Sequence, residues 1–292
     1  MTSEELQRLR GTNAPVFAWD GDEVFDCGLP RVYITSVAWG EETTASHTGR
    51  TYAGSYPPVQ ADYEVAYDVA GVDLAGDDDD DADGWLALRW GAEYYEEGMG
   101  VTGGEPWERA WRVDCFRAAE LLYLWAASKG NPVAYLNLGY VYSYDRCEGR
   151  YWRDGTLAEG EPYPREERAV ECFCAAADAG EPEACYKLGD LVRRGEGCEP
   201  SLTRAFELYQ RAWDLGRMSD PAVWASAALR LGNACEYGEG CEQDFDRALG
   251  WYHHAEVGLG IAVEGGATWY KRARASAHDG ALRCRQELDG RY

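Results

Sequence analysis

The chain has 292 residues, of which 46% are hydrophobic and 13% aromatic, a composition typical of a globular protein with a sizeable core. Its formal net charge of −24 disfavours binding to nucleic acid phosphates and to anionic membrane surfaces. We therefore expect neither nucleic acid nor membrane as a partner. A protein or peptide with a cationic segment fits the charge better.

The start of the chain, MTSEELQRLRG, is polar and lacks the apolar core of a secretory signal. The longest strongly apolar run, residues 121–127, is too short to cross a bilayer. From these two features we expect a soluble, cytoplasmic protein.

Residues 1–84 differ from the rest, because they hold 18 Asp and Glu residues against four Arg. The run GDDDDDADG at 76–84 repels itself and predicts a solvated linker. Upstream, VYITSVAW has the β-branched content typical of a strand. We predict an acidic N-terminal extension over residues 1–84 that is partly disordered.

Two stretches of the chain, 186–216 and 229–259, carry the same pattern 43 residues apart. The first reads YKLGDLVRRGEGCEPSLTRAFELYQRAWDLG and the second reads LRLGNACEYGEGCEQDFDRALGWYHHAEVGL. The L-G pair, the G-E-G run, the Cys after it and an Arg-Ala pair coincide without a gap. Self-similarity at a fixed period is the signature of a repeat architecture.

Two earlier copies of the unit are marked by Gly91 and Gly139. From the marker Gly to the first Ala of the second half, the two later copies span 16 residues, whereas the earlier copies span 28 and 30. The earlier copies therefore carry insertions of 12 and 14 residues. Their Gly, Pro and Trp content predicts loops.

Each unit is predicted to be a pair of helices joined by the G-E-G turn. Ser201 and Asp244 stand just before the second helix in two copies and suit N-caps. The Gly of the L-G pair lies inside the first helix, where Gly costs about 1 kcal/mol relative to Ala. Its recurrence predicts a close approach of the two helices, with Ala at the facing positions.

These motifs resemble the Sel1-like repeat family, relatives of the tetratricopeptide repeats. The family's unit is an A helix with A-x-x-x-L-G-x-x-Y, a G-x-G turn, and a B helix with A-x-x-x-[WY]-x-x-A-A-x-x-G. The copy YGEGCEQDFDRALGWYHHAE is very close to this pattern. The resemblance covers roughly residues 85–258. It implies an all-α fold, a right-handed α/α solenoid of four helix-turn-helix repeats. The predicted repeats are 85–130, 131–180, 181–216 and 217–258.

A final helix over 259–292 is predicted to cap the last repeat, because a terminal repeat has no neighbour to bury its face. The residues expected to pack recur at helical spacing; they are Trp269, Ala273, Ala277, Cys284 and Leu288.

The ten Cys residues are predicted to be reduced and buried, because the chain lacks a visible secretory signal. A metal-binding module built on Cys172, Cys174 and Cys185 is an alternative, although the spacing is wrong for a zinc finger. A hydrolytic enzyme of unknown substrate is a second alternative. No nucleophile–base motif is visible, so we expect no catalytic residue, no cofactor and no metal.

The resemblance implies that the A helices line the concave face of the solenoid. Positions two before and one after each marker Gly share a helix face that is turned away from the packed Leu. Because no packing role for them is evident, we predict that they bind a peptide or protein partner, as in a scaffold or adaptor. A carboxylate or backbone amides of an extended peptide would face them; a merely solvated polar face is the alternative. They are Arg89 and Ala92, Asn137 and Tyr140, Lys187 and Asp190, and Arg230 and Asn233.

Overall fold

The structure is a computed structural model that describes residues 42–43, 52–53, 84–104, 106–153, 156–157, 163–217 and 220–290. Nearly all of the described chain is helical, so the all-α prediction is confirmed. The strand-like VYITSVAW segment and residues 76–83 of the acidic run lie outside the described residues. None of the described helices is both long and apolar enough to cross a bilayer.

The helices are α1 (Trp85–Gly100), α2 (Pro106–Ser128), α3 (Pro132–Ser143), α4 (Arg165–Asp178), α5 (Pro182–Arg194), α6 (Leu202–Gly216), α7 (Pro221–Tyr237), α8 (Phe245–Glu264) and α9 (Lys271–Asp289), with a 3₁₀ turn at Thr268–Tyr270. Two-residue strands form two antiparallel pairs: β1 (Glu42–Thr43) with β2 (Tyr52–Ala53), and β3 (Trp152–Arg153) with β4 (Thr156–Leu157).

The described chain divides into two compact units, one that ends at residue 165 and one that begins at residue 166. In the first unit α1 packs on α2, and α2 packs on α3. In the second unit α5 pairs with α6 and α7 pairs with α8, while α9 packs on α8. The predicted helix-turn-helix organisation is therefore confirmed.

Capping residues set the helix ends where the sequence predicts them. Ser201 accepts a hydrogen bond from the backbone N–H of Arg204, and Asp244 accepts one from Arg247. Both are N-caps, as predicted. At the other end of the hairpin turn, Gly238 has φ 71°, a left-handed conformation that favours glycine.

The glycine of the A helix faces an aromatic ring of the B helix. A methyl group added at Gly189 would lie 2.5 Å from the Tyr209 ring, and one added at Gly91 would lie 2.5 Å from the Tyr123 ring. The close approach is thus as predicted. Ala205 lies opposite Gly189, with its carbonyl oxygen 3.3 Å from the added methyl group, but the nearest atoms belong to the tyrosine ring, which the sequence did not predict. The flat face of a tyrosine fills the space that a side chain on the A helix would need.

A partly buried ion pair joins two successive A helices, α5 and α7, in the second unit. Asp190 of α5 accepts hydrogen bonds from the Tyr209 hydroxyl of α6 at 3.0 Å and from Arg230 Nε of α7 at 2.6 Å. Arg230 Nη2 donates a further hydrogen bond to the other carboxylate oxygen of Asp190, Oδ2. Burial acts to raise the pKa of Asp190, but the charge and hydrogen bonds of Arg230, with the Tyr209 hydroxyl, outweigh it and hold this pKa below its usual value.

The last repeat has an equivalent contact to the capping helix. The Tyr252 hydroxyl lies 2.5 Å from Glu236 Oε2 and 2.8 Å from Asn233 Oδ1. Arg283 of α9 donates to the same Glu236 carboxylate at 2.6 and 2.8 Å. A methyl group added at Gly280 of α9 would lie 2.4 Å from the Tyr252 ring, so α9 repeats the glycine–tyrosine contact.

The packing of the capping helix differs in part from the prediction. Ala277 and Cys284 are buried, as expected of a packed face. Trp269, however, belongs to the 3₁₀ turn before α9 and is 75% exposed, so its predicted packing role is wrong. The preceding helix α8 continues to Glu264, six residues beyond the predicted end of the last repeat.

The first insertion, residues 100–111, is a loop only in its first half. Residues 101–104 are not helical, as predicted, whereas helix α2 begins at Pro106 and runs through position 111, so the second half lengthens a helix of the first hairpin. Proline is favoured in the first turn of a helix, and Glu108 supplies a negative charge there. The second insertion contains the β3–β4 pair.

The glycine–tyrosine contact can be tested with two Gly→Ala substitutions in helices. We expect Gly189→Ala to lower the free energy of unfolding by about 1–3 kcal/mol, because the new methyl group overlaps the Tyr209 ring. In the control Gly250→Ala, nothing lies within 4 Å of the new methyl group, so higher helix propensity should raise stability by up to about 1 kcal/mol. Urea denaturation measures both. Equal effects of the two substitutions would contradict the contact.

The ion pair predicts a second stability difference. The Asp190 and Arg230 side chains are only 20% and 23% exposed, so Arg230→Ala should cost about 3 kcal/mol by leaving a buried carboxylate unpaired. Arg194→Ala, which breaks the exposed pair with Glu196, should cost less than about 1 kcal/mol.

The pH dependence gives a further check on the same variant. In the wild type the depressed pKa of Asp190 adds stability above the unfolded-state pKa, and this is lost as pH falls through the folded-state pKa. Without Arg230, burial raises the pKa of Asp190, so protonation relieves the defect. The stability gap between wild type and Arg230→Ala should therefore narrow from pH 7 towards pH 4. A gap that is constant with pH would contradict the pairing.

Candidate functional site

An open cleft of about 250 Å³ lies between α1, α2 and α3 in the first unit. Tyr95 of α1, Tyr123 of α2, and Asn137 and Tyr140 of α3 line it. This volume is below the range of about 300–1,000 Å³ usual for drug-sized ligands, so the cleft suits a single side chain of a larger partner.

Packing against neighbours orients the tyrosine rings of the cleft. The Tyr123 ring lies on Gly91, in the same arrangement as Tyr209 on Gly189. Tyr95 makes an edge contact with Phe116, with ring centroids 5.1 Å apart. Tyr140 stacks on Tyr144 at 5.8 Å with nearly parallel planes. Rings held in this way bind a partner with little loss of side-chain entropy.

Charged groups lie close to two tyrosines of the cleft. Arg146 Nε donates to the Tyr95 hydroxyl at 3.0 Å, and its guanidinium lies 5.1 Å from the centre of the Tyr144 ring. Burial raises the pKa of Tyr123, and the nearby Tyr95 and Glu96 raise it further. Burial likewise raises the pKa of Tyr95, against the opposing charge of Arg146. Both hydroxyls therefore keep their protons near neutral pH.

Repeat register relates the cleft to the ion pair of the second unit. There, the residue after one marker Gly (Asp190) meets the residue two before the next (Arg230). The same two positions in the first unit hold Ala92 and Asn137, which are smaller and uncharged. Of these two residues, Asn137 lines the cleft beside Tyr123.

Two of the predicted binding residues, Asn137 and Tyr140, lie together in this cleft. Arg89 is exposed on α1, three residues before Ala92. The cleft also contains Tyr95 and Tyr123, which the sequence analysis did not identify. Tyr123 is buried in α2, and its side chain also reaches the cleft.

The other predicted residues have internal contacts, so the expectation that they lack a packing role is wrong. Asp190 and Arg230 form the partly buried ion pair, and Asn233 contacts the Tyr252 hydroxyl. The Lys187 ammonium lies 5.4 Å from the centre of the Tyr186 ring. The reason is geometric: in the second unit this face of α5 contacts both its own B helix, α6, and the next A helix, α7.

The cysteines of the alternative metal site are buried: Cys172 and Cys174 in α4, and Cys185 in α5. Burial raises the pKa of Cys185 to about 11, so its thiol stays protonated at neutral pH. Within the part of the chain that the structure describes, three potential metal ligands do not come together.

Comparison with known proteins places the pattern in a family. The Sel1 repeat model matches residues 132–149, 153–181, 182–216 and 225–255. The α1–α2 hairpin lies outside these matches, although it has the Gly91–Tyr123 contact; its assignment as a first repeat stays a prediction.

Two solved structures are similar to the chain. A Sel1 repeat protein from Oxalobacter formigenes is 28% identical, with 47% of this chain and 88% of that chain covered and a TM-score of 0.37. The protective antigen c5321 of uropathogenic Escherichia coli, which displays an SLR fold, is 18% identical, with 70% and 45% covered and a TM-score of 0.39. The match thus spans less than half of the c5321 chain.

No curated protein matches the chain. The four matched segments follow the described helices from α3 to α8, and the segments 182–216 and 225–255 carry both the L-G pair and the G-E-G turn. The segment of the chain between residues 132 and 255 therefore carries Sel1 repeats.

Proposed function

We propose that this chain is a protein-interaction module that binds a segment of a partner protein, with one partner side chain inserted in the tyrosine-lined cleft. Sel1 repeat proteins generally mediate protein–protein interactions. The observation that carries the proposal for this chain is the cleft between α1, α2 and α3, which holds two residues of the predicted binding face.

The lining of the cleft suits recognition. Tyrosine is enriched where protein interfaces concentrate their binding energy, because it offers a large rigid ring and one hydroxyl. Asn137 adds an amide that both donates and accepts hydrogen bonds. Tyr95, Asn137 and Tyr140 are partly exposed, so a partner can reach them.

The same lining supports binding over catalysis. Tyrosine hydroxyls with raised pKa values are poor bases and poor nucleophiles near neutral pH, and an amide does not titrate. A hydrolytic reaction in this cleft would need an activated nucleophile beside a base, which these four side chains do not provide. We therefore propose a non-catalytic scaffold or adaptor.

A displayed library of random peptides, selected on the immobilised full-length chain, tests this function. Selected peptides are then measured by fluorescence anisotropy. We expect the double variant Asn137→Ala, Tyr140→Ala to bind them at least about tenfold more weakly, the effect of losing about 1.4 kcal/mol. Its melting temperature should stay within a few degrees of wild type, because both side chains are partly exposed.

The matched control replaces exposed apolar side chains of α6, in Leu202→Ala, Leu215→Ala. Peptide affinity should be unchanged in this control. If the selected peptides bind the Asn137→Ala, Tyr140→Ala variant as tightly as they bind wild type, the binding surface lies elsewhere on the chain. A selection that enriches no peptide would overturn the proposed function.

A further inference from the structure

We propose that the cleft recognises a carboxylate, the side chain of an Asp or Glu in the partner segment. The carboxylate would stand where Asp190 stands in the second unit. This inference rests on the proposed function, because it names the chemistry of the same cleft.

The second unit supplies the template for this recognition. The Tyr209 ring is fixed on Gly189, and its hydroxyl donates to Asp190 at 3.0 Å. The next A helix adds the two hydrogen bonds of Arg230. In the second unit the tyrosine hydroxyl and the side chain of the next A helix thus donate hydrogen bonds to the same group, and that group is a carboxylate.

The first unit keeps the donors of this arrangement and lacks its carboxylate. Tyr123 lies on Gly91 as Tyr209 lies on Gly189, within the same 2.5 Å. Ala92, in the position of Asp190, offers no acceptor to the hydroxyl. Asn137, in the position of Arg230, can present amide N–H groups to an incoming acceptor. A partner carboxylate would complete the set.

The charges around the cleft are mixed. Arg146 donates to the Tyr95 hydroxyl, which leaves the proton of that hydroxyl available to an acceptor in the cleft. Arg89 occupies the position of Lys187, whose charge helps to lower the pKa of Asp190. Against these stands Glu96, close enough to Tyr123 to raise its pKa. Arg146 and Glu96 thus bring opposite charges close to the tyrosines of the cleft, and Arg89 adds a cation at the register position of Lys187.

A cationic partner side chain fits the cleft less well. In the second unit the Arg230 guanidinium lies 4.5 Å from the centre of the Tyr186 ring. The corresponding position in α1 is Leu88, which offers no aromatic face. Arg146 would also repel a second cation. These differences favour the anionic half of the pair as the missing group.

Nuclear magnetic resonance on the full-length protein tests the inference with small probes. The probe is N-acetyl-aspartate N-methylamide, and the neutral control is N-acetyl-asparagine N-methylamide. We expect the aspartate probe to shift the side-chain amide signals of Asn137 and to saturate at about millimolar concentration, as suits one anchored side chain. The asparagine probe should produce no saturable shift.

Substitutions of tyrosine hydroxyls separate binding from folding. Tyr123→Phe keeps the ring on Gly91 and should abolish saturation by the aspartate probe, with the melting temperature close to wild type. Tyr209→Phe is the matched control: it should lower the melting temperature, because it removes a buried bond to Asp190, and leave probe binding intact.

Two further variants test whether the cleft prefers an anionic or a cationic ligand. Ala92→Asp places a carboxylate within the chain, so it should block the aspartate probe and raise the melting temperature. Glu96→Gln should tighten binding of the aspartate probe by removing a like charge. Equal shifts from the aspartate and asparagine probes would overturn the inference. A cationic probe, N-acetyl-lysine N-methylamide, would also overturn it if this probe saturates the wild type and Glu96→Gln weakens its binding.

The two proposals fail separately. Displayed peptides that depend on Asn137 and Tyr140, combined with no saturable response to the aspartate probe, would overturn the carboxylate and keep the interaction module. A saturable response to the aspartate probe without any selected peptide would support the carboxylate and overturn the module.

Discussion

The contact between a helix glycine and a tyrosine ring is the constraint on which the described hairpins depend. Because Gly189 has no side chain, its helix can approach the flat face of Tyr209 closely, and the same holds for Gly91 and Tyr123. This approach fixes the direction of each tyrosine hydroxyl as well as the helix spacing. The residue next to the glycine then decides what the hydroxyl contacts.

The two units put this geometry to different uses. With Asp190 beside the glycine, the hydroxyl becomes part of a partly buried ion pair to Arg230 that joins successive helices. With Ala92 and Asn137 in the corresponding positions, a cleft lies beside the ring instead. We propose that stabilisation and recognition are alternative outcomes of one arrangement, and that the side chains at these two positions select between them.

Local signals in the sequence predict much of the fold and only part of the site. The caps at Ser201 and Asp244 and the glycine turns are read from residues a few positions apart, so the helix pairs could be predicted. The partnership of Asp190 with Arg230 spans 40 positions, and periodicity assigns both to one face without showing that the next helix covers it. The sequence analysis does not identify Tyr123, because a sequence cannot distinguish a tyrosine that only fills the core from one that also lines a cleft.

A double-mutant cycle between positions 92 and 137 tests the central claim, that the cleft is the place of a missing ion pair. Ala92→Asp and Asn137→Arg would be made singly and together, and the free energy of unfolding measured by urea denaturation. We predict a favourable coupling of at least about 1 kcal/mol, because the pair would reproduce Asp190 and Arg230 on the same ring. Val133→Arg, one turn earlier on α3, should not couple to Ala92→Asp. A coupling of zero between positions 92 and 137 would contradict the account.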